Sequence, residues 1–380
     1  MRVLGLFTSN SKYPIKALIH RHAVTLADRL IRDSSPIGHE RRAPVAVDPF
    51  DAIESGVVAI LFEICFGAET DDDKQLYSEM MFMLHEMRAV MRAVQSVDVM
   101  PRLAPFFGRP LRRYNHSLQR IHQLTTDKIE AVVDAGVPDT PTCVVHALHR
   151  ACSTELGGDD VDGSQRARMM AFVQDIIGAG SEVMVNLVHW AILYVAKFPD
   201  VQRRVRDEIR SSIGWTASPA AADRARMPYT EACMWEIMRH SCLSAMSMPH
   251  AATQDAVVAG CRVAAGTMVF ANFYSIGWDP DVWGDPAVFR PQRFLTPDGS
   301  RVDREAVDQL MSFGAGRRRC PGAQLGRMET FLFFVVLMQR CVFSTAPGHE
   351  LPTDGEYLLT NKAKTYHVCV QSTDSNNNFP

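Results

Sequence analysis

One ten-residue stretch constrains this chain more than any other: Phe313-Gly314-Ala315-Gly316-Arg317-Arg318-Arg319-Cys320-Pro321-Gly322. It is a glycine-rich loop with three arginines and a cysteine, and an apolar helical pattern follows at Leu325–Phe334. Proline after Cys320 suits the first helical position, where its missing N–H would be unpaired anyway. Cys320 is therefore expected at or just before a helix N-terminus, where free N–H groups and the positive dipole end favour an anion. The thiolate is the form that binds metals. Gly314, Gly316 and Gly322 permit positive φ and let a flat ligand approach without a Cβ in the way. Arg318, two residues before the sulfur, can neutralise the thiolate or pair with a ligand carboxylate. The loop reads as one soft anionic ligand for a large, planar, acidic cofactor. A lone cysteine is ordinarily a buried structural thiol, and that reading suits the other eight.

Phe313, Gly316, Arg318, Cys320 and Gly322 match the fixed positions of the haem-binding signature of the cytochrome P-450 family, the haem-thiolate monooxygenases, and the chain resembles that family from Met1 to about Gln371. The resemblance implies that Cys320 is the axial ligand of iron in haem b (iron protoporphyrin IX). It implies that Arg318 meets a haem propionate, that Phe313 packs over the sulfur, and that Gly316 and Gly322 make room for the porphyrin. The thiolate of this family pushes electron density that favours O–O cleavage.

The bulk composition fits one large domain or two ordinary ones in a reducing compartment. The chain has 380 residues, 47% hydrophobic, enough for a sizeable core. A net charge of −3 does not suggest a nucleic-acid partner. Nine scattered cysteines argue against a disulfide framework or a zinc ribbon. The apolar run Val3–Phe7 is too short for a signal-peptide core, and Phe331–Met338 falls well short of the ~20 residues of a membrane helix. No anchor is read in the chain as it stands.

Apolar spacing predicts helices over 14–32, around Ile53–Ile64 with Gly67 as a stop, and from Asp71-Asp72-Asp73 to about Val94. Met80, Met81, Met83, Met87 and Met91 on the last are core or, alternatively, a substrate roof. Pro101–Pro110 is a turn-rich apolar connector, either packed, lining an access path or lying on a membrane surface. Helices are expected at 111–135, 139–150, 164–198, 201–213 and 229–241, and a loop at Gly157–Gly163. Ala256–Val263 and Thr267–Phe273 are strand-like, Trp278–Phe289 is a meander, and 341–370 holds short strands. Residues 1–371 are expected to form one domain and 372–380 a disordered tail.

The 164–198 helix is the second functional element. Two glycines inside a helix cost ~1 kcal/mol each relative to alanine, so Gly178 and Gly180 need a reason: close ligand approach or a tight helix crossing. Asp175, Ala179, Glu182 and Asn186 form one polar stripe. The resemblance makes this the helix over the haem, with Ala179, Gly180 and Glu182 matching a family motif and Gly180 and Glu182 assigned to catalysis. Val183 stands where the family has a threonine that guides protons, and it has no donor or acceptor. Ser181 faces another side.

Glu236 and Arg239 lie three apart on one helical face. They match the family's Glu-x-x-Arg motif, and Pro291-Gln292-Arg293-Phe294 matches the segment that supplies a second arginine. A buried cluster of Glu236, Arg239 and Arg293 is implied, as scaffold. His250 matches a position that reaches a haem propionate in similar animal microsomal members; a surface histidine is the plainer reading.

The fold expected is mainly α with small β-sheets, a cytochrome P-450 fold lacking the N-terminal anchor and first helices. The family's Trp-x-x-x-Arg motif, whose arginine holds a propionate, finds no match, since no tryptophan precedes Trp190. The function implied is insertion of one oxygen atom of O2 into a lipophilic substrate, a steroid or xenobiotic. Electrons would come from NADPH through a reductase, on the cytosolic face of the endoplasmic reticulum membrane. Arg317 and Arg319 would face the reductase. A non-catalytic or uncoupled haem-binding remnant is the alternative, and a haem-free redox thiol at Cys320 a third.

Overall fold

The computed structural model describes residues 15–36, 44–67, 73–155, 164–357 and 360–373. The expectations for Val3–Phe7, for Asp71-Asp72, for the loop 157–163 and for most of the 372–380 tail lie outside those residues. Strand pairing reaches Ser372, and Thr373 Oγ1 donates to Gln339 O at 2.7 Å.

Helix α6 (Ser164–Lys197) is the axis of the molecule. Its 34 residues would span about 50 Å at 1.5 Å per residue. From Met184 to Ala196 every residue is buried, as befits a helix apolar on all sides. Among the described residues it alone is long and apolar enough to cross a membrane. Two-thirds of that stretch is buried inside the protein, which makes it a core helix.

Around it stand α1 (Ile15–Asp33), α2 (Phe50–Phe66), α7 (Pro199–Ser212), α8 (Pro228–Ser241) and α12 (Ala323–Arg340). Helix α1 packs on α2 and α12, and α2 and α12 both pack on α6. The periodic residues of α1, Ile15, Ile19, Ala23, Leu26 and Leu30, are all buried. Gly67 ends α2 at φ 94°, as its position predicted. Helices α3 (Asp73–Val99) and α4 (Gly108–Asp134) form an antiparallel pair, and α5 (Val144–Glu155) lies between α4 and α6. The connector at the tip of that pair is a 3-10 turn, Pro101–Phe107, with Phe106 82% exposed. Of the methionine stripe only Met80 is core; Met81, Met83, Met87 and Met91 are half-buried.

The strands make four two-stranded antiparallel sheets. They are β1 (His250–Ala251) with β4 (Met268–Val269), and β2 (Ala256–Val258) with β3 (Cys261–Val263). The others are β5 (Cys341–Thr345) with β8 (Val368–Ser372), and β6 (Gly355–Tyr357) with β7 (Asn361–Ala363). The run Ala256–Val263 is a hairpin, not one strand. Ala259 (φ 47°) and Gly260 (φ 81°) turn it back with two successive positive φ values, as tight hairpins require. Short helices α9 (Phe273–Gly277), α10 (Pro280–Trp283) and α11 (Arg304–Leu310) fill the stretch before the cysteine loop.

Candidate functional site

The cysteine loop is a closed ring. Cys320 N donates to Phe313 O at 2.8 Å, joining its two ends. Gly314 (φ 69°) and Gly316 (φ 68°) take the left-handed conformation that makes the path between them. Gly322 differs from expectation: its φ is −85°, and a Cβ there would sit 3.9 Å from Cys320 Sγ, an ordinary contact distance. Helix α12 begins at Ala323, with Gly322 as its cap, so Pro321 precedes the first turn instead of occupying it. Cys320 lies just before the helix, as predicted.

Phe313 ties the ring to the core. Its ring meets Trp235 of α8 edge-on, centroids 6.3 Å apart at 89°. The Arg327 guanidinium lies 4.9 Å from the Trp235 ring and 5.0 Å from Phe313. Such cation–aromatic contacts are worth about 0.5–2 kcal/mol each. The ring itself faces outward. Cys320 is exposed and free, and Arg317, Arg318 and Arg319 are exposed. Among the described residues, none of these three guanidiniums enters an ion pair.

The stripe on α6 runs from surface to depth. Asp175, Gly178 and Ala179 are exposed, Glu182 is half-buried and Asn186 is 1% exposed. The two glycines divide their roles. A Cβ on Gly178 would meet nothing within 4 Å, whereas one on Gly180 would lie 3.2 Å from Leu61 Cδ1 of α2. Of the two readings offered for these glycines, Gly180 takes the tight helix crossing, at α2–α6, and Gly178 opens on free space. Ser181 is buried and its Oγ donates to Gly178 O at 3.4 Å, so it does not join the stripe. Val183 is half-buried and packs on the core.

Glu182 sits in a network the sequence did not announce. Its Oε2 accepts from Arg88 Nε of α3 at 2.7 Å, and Arg88 also pairs with Glu54 of α2. Its Oε1 accepts from Asn186 Nδ2 at 3.0 Å and from Thr360 Oγ1 at 3.2 Å, and Asn186 Nδ2 also donates to Thr360 Oγ1 at 2.7 Å. Thr360 is held there by its neighbour: Asn361 N donates to Leu243 O (2.8 Å), its Nδ2 to Ser241 O (2.6 Å), and its O accepts from Trp190 Nε1 (2.8 Å). Gly355 permits this close seating, since a Cβ there would fall 2.1 Å from Asn361 Oδ1. Lys362 lies nearby, and burial, then Arg88, pull its ammonium below the usual range. Arg88, Glu54 and Thr360 are separated in sequence by dozens of residues, and no local pattern marks them.

The cluster of Glu236, Arg239 and Arg293 forms as the resemblance implied. Glu236 and Arg239 are fully buried, and Arg239 donates Nε and Nη2 to the carboxylate at 2.7 and 2.8 Å. Arg293 Nε adds a third bond at 3.0 Å and the Arg290 backbone N–H a fourth at 2.8 Å. Spare guanidinium donors reach Gly277 O, Pro286 O, Trp283 O and Val288 O. A buried ion cluster is tolerated only when satisfied this completely. His250 opens β1, exposed, opposite Val269.

The donor set suits a metal that arrives with most of its ligands. Among the described residues no group of three or more His, Cys, Asp or Glu side chains could hold a metal ion. A single accessible sulfur beside unpaired guanidiniums fits instead a complex that supplies its own nitrogens and carries carboxylates. An iron porphyrin is such a complex.

Comparison with known proteins agrees. The family profile described as Cytochrome P450 matches residues 3–370. The chain is 30% identical over 326 residues to cytochrome P450 1A2 of Callithrix jacchus, covering 86% of this chain and 63% of that one. It is 30% identical to cytochrome P450 1A1 of Microgadus tomcod, covering 84% and 62%. It thus spans a little under two-thirds of these relatives' length. In fold it matches a solved zebra fish cytochrome P450 structure with abiraterone, with a TM-score of 0.79 at 22% identity, over 98% of this chain and 80% of the other.

Proposed function

This chain belongs to the cytochrome P450 family, and from that premise we propose that it acts as a haem-thiolate monooxygenase, inserting one oxygen atom of O2 into a lipophilic substrate. The observation that carries the reading is the exposed, free Cys320 closed into a ring beside three guanidiniums that enter no ion pair among the described residues. Cys320 would hold the iron of haem b, and Arg318 and His250 would meet its carboxylates. Phe313, Gly316 and Gly322 would keep the ring's shape. Bound this way, a haem supplies one-electron chemistry and O2 activation, which thiolate ligation promotes.

The chain's own residues do the rest. The open face of α6 at Gly178 and Ala179 leaves room for a flat ligand, and Val183 keeps the neighbouring position apolar. Glu182 Oε1 is the acceptor that would orient a proton-carrying hydroxyl, because Thr360 Oγ1 and Asn186 Nδ2 already donate to it. Arg317 and Arg319 would steer an acidic NADPH-dependent reductase, since exposed like charges raise encounter rates with an oppositely charged partner. The exposed tip at Met100 and Phe106 would rest on the cytosolic face of the endoplasmic reticulum membrane, with steroids or xenobiotics as the substrate class.

Val183 and the ion-paired Glu182 favour a second reading, a haem binder that consumes NADPH and releases peroxide. The absorption spectrum of the reduced, carbon-monoxide-bound protein tests the ligation. A thiolate-type Soret shift, lost in Cys320→Ser, is expected; haem without that shift would overturn the assignment. Product formed per NADPH consumed then separates monooxygenase from uncoupled binder.

A further inference from the structure

Arg88 is a bridge between three helices. It leaves α3 and meets Glu54 on α2 through Nη1 and Glu182 on α6 through Nε. All three side chains are mostly shielded, with exposures of 21%, 9% and 20% for Arg88, Glu54 and Glu182. Charge-assisted bonds of this kind are short, directional and roughly twice as strong as neutral ones. Helix α3 packs chiefly on α4, so this bridge is a principal tie between α3 and the two core helices beneath it. Tyr77 Oη, donating to Ser55 O at 2.7 Å, is another, one end of the helix away.

The bridge also decides how the Glu182 carboxylate is turned. With Oε2 held by Arg88, Oε1 can only face Asn186 and Thr360. Without Arg88 the carboxylate would keep one side of its network and could rotate toward Lys362, the next cation. We propose that Arg88 is a positioning residue for Glu182: it holds one edge of the carboxylate so that the other stays against Thr360, and makes that orientation conditional on α3 being seated on α2. This rests on the reading of Glu182 as the proton-handling group. A guanidinium is required because it presents two nitrogens at a fixed angle to two carboxylates, whereas an ammonium is a point charge.

The test compares Arg88→Met, Arg88→Lys, Glu54→Gln and Glu182→Gln in the haem-loaded chain. Each variant is first checked for the thiolate Soret shift. Arg88→Met is expected to lower product per NADPH about tenfold with the substrate KM little changed, and to speed amide hydrogen exchange in α3. Arg88→Lys should recover part of the coupling and Glu54→Gln should fall between. Wild-type coupling in Arg88→Met beside a defective Glu182→Gln overturns the role of Arg88 alone. Wild-type coupling in Glu182→Gln overturns the reading of Glu182 and this inference with it. Should Arg88→Met fail to fold, unchanged coupling in both Glu54→Gln and Arg88→Lys overturns the proposal by itself.

Discussion

Two groups of arginines in this molecule are opposites. Arg239 and Arg293 are buried, and every nitrogen they carry toward the interior finds a carboxylate or a carbonyl. Arg317, Arg318 and Arg319 are exposed, and none joins an ion pair among the described residues. Residue type is the same; the difference lies in what the fold has already supplied. A guanidinium whose partners all come from the chain is part of the frame. One whose partners are left to solvent is available to a ligand or another protein. The lesson extends to the two clusters around glutamate. Glu236 receives four bonds from within the chain and serves stability, while Glu182 lies on a stripe that reaches the surface.

The strongest way to break this contrast is Glu236→Gln. It leaves buried Arg239 without a counter-charge and Arg293 with only the Asp285 pair, and should cost about 3–5 kcal/mol of stability. Denaturant unfolding checks it; a loss comparable to a surface substitution would place the cluster outside the frame. Next is Glu329 in α12, a buried carboxyl in the frame that breaks its rule. Among the described residues its Oε1 has no hydrogen-bond partner, and burial pushes its pKa up to about 8. The folded state therefore holds a proton that the unfolded state releases near the ordinary carboxylate range, and stability falls as pH rises toward 8. His189 acts oppositely. Among the described residues neither of its ring nitrogens has a hydrogen-bond partner, and burial, then Lys362, lowers its pKa to about 3, so stability rises with pH from about 3 to its unfolded value of 6.5. The two slopes cancel between about 4.5 and 6.5, and the fall from Glu329 stands alone above that. Glu329→Gln should remove a decline of about 2 kcal/mol between pH 6.5 and 8, measured by unfolding at each pH.

On the exposed side, Arg318→Met should weaken haem retention about tenfold (~1.4 kcal/mol) and leave the unfolding of the haem-free chain unchanged. Haem transfer to an acceptor protein measures the first, and equal loss in both assays would move Arg318 into the frame. The smallest effect repeats the contrast within one helix. Gly178→Ala should gain up to ~1 kcal/mol of stability, since its Cβ enters open space. Gly180→Ala should gain less, because Leu61 must give way by a few tenths of an ångström. Equal gains would mean that the crossing at Gly180 is loose.

Much of the frame was legible because it is periodic. The apolar spacing in α1, α2, α7 and α8 places those helices within a few residues of their observed ends. The cysteine ring was legible because its chemistry is concentrated in ten consecutive residues. What stayed hidden depends on distant partners or unmarked turns. Arg88 meets Glu182 across 94 positions, and Gly180 finds Leu61 only through a helix crossing. Helix α11 escaped because its seven residues follow a polar run, although Asp303 caps it by accepting from Glu305 N and Ala306 N. The β2–β3 turn escaped because alanine, not asparagine, precedes its glycine.

The bond from Cys320 N to Phe313 O has a consequence for what the loop tolerates. It fixes the ring size at eight residues, with one end bolted to Trp235 by an aromatic edge and the other running into α12. Apart from Gly314 and Gly316, whose positive φ the path needs, changing a side chain between the two ends alters only the rim. Adding or deleting one residue would swing the sulfur off its heading, so this segment should accept many spellings but a single length.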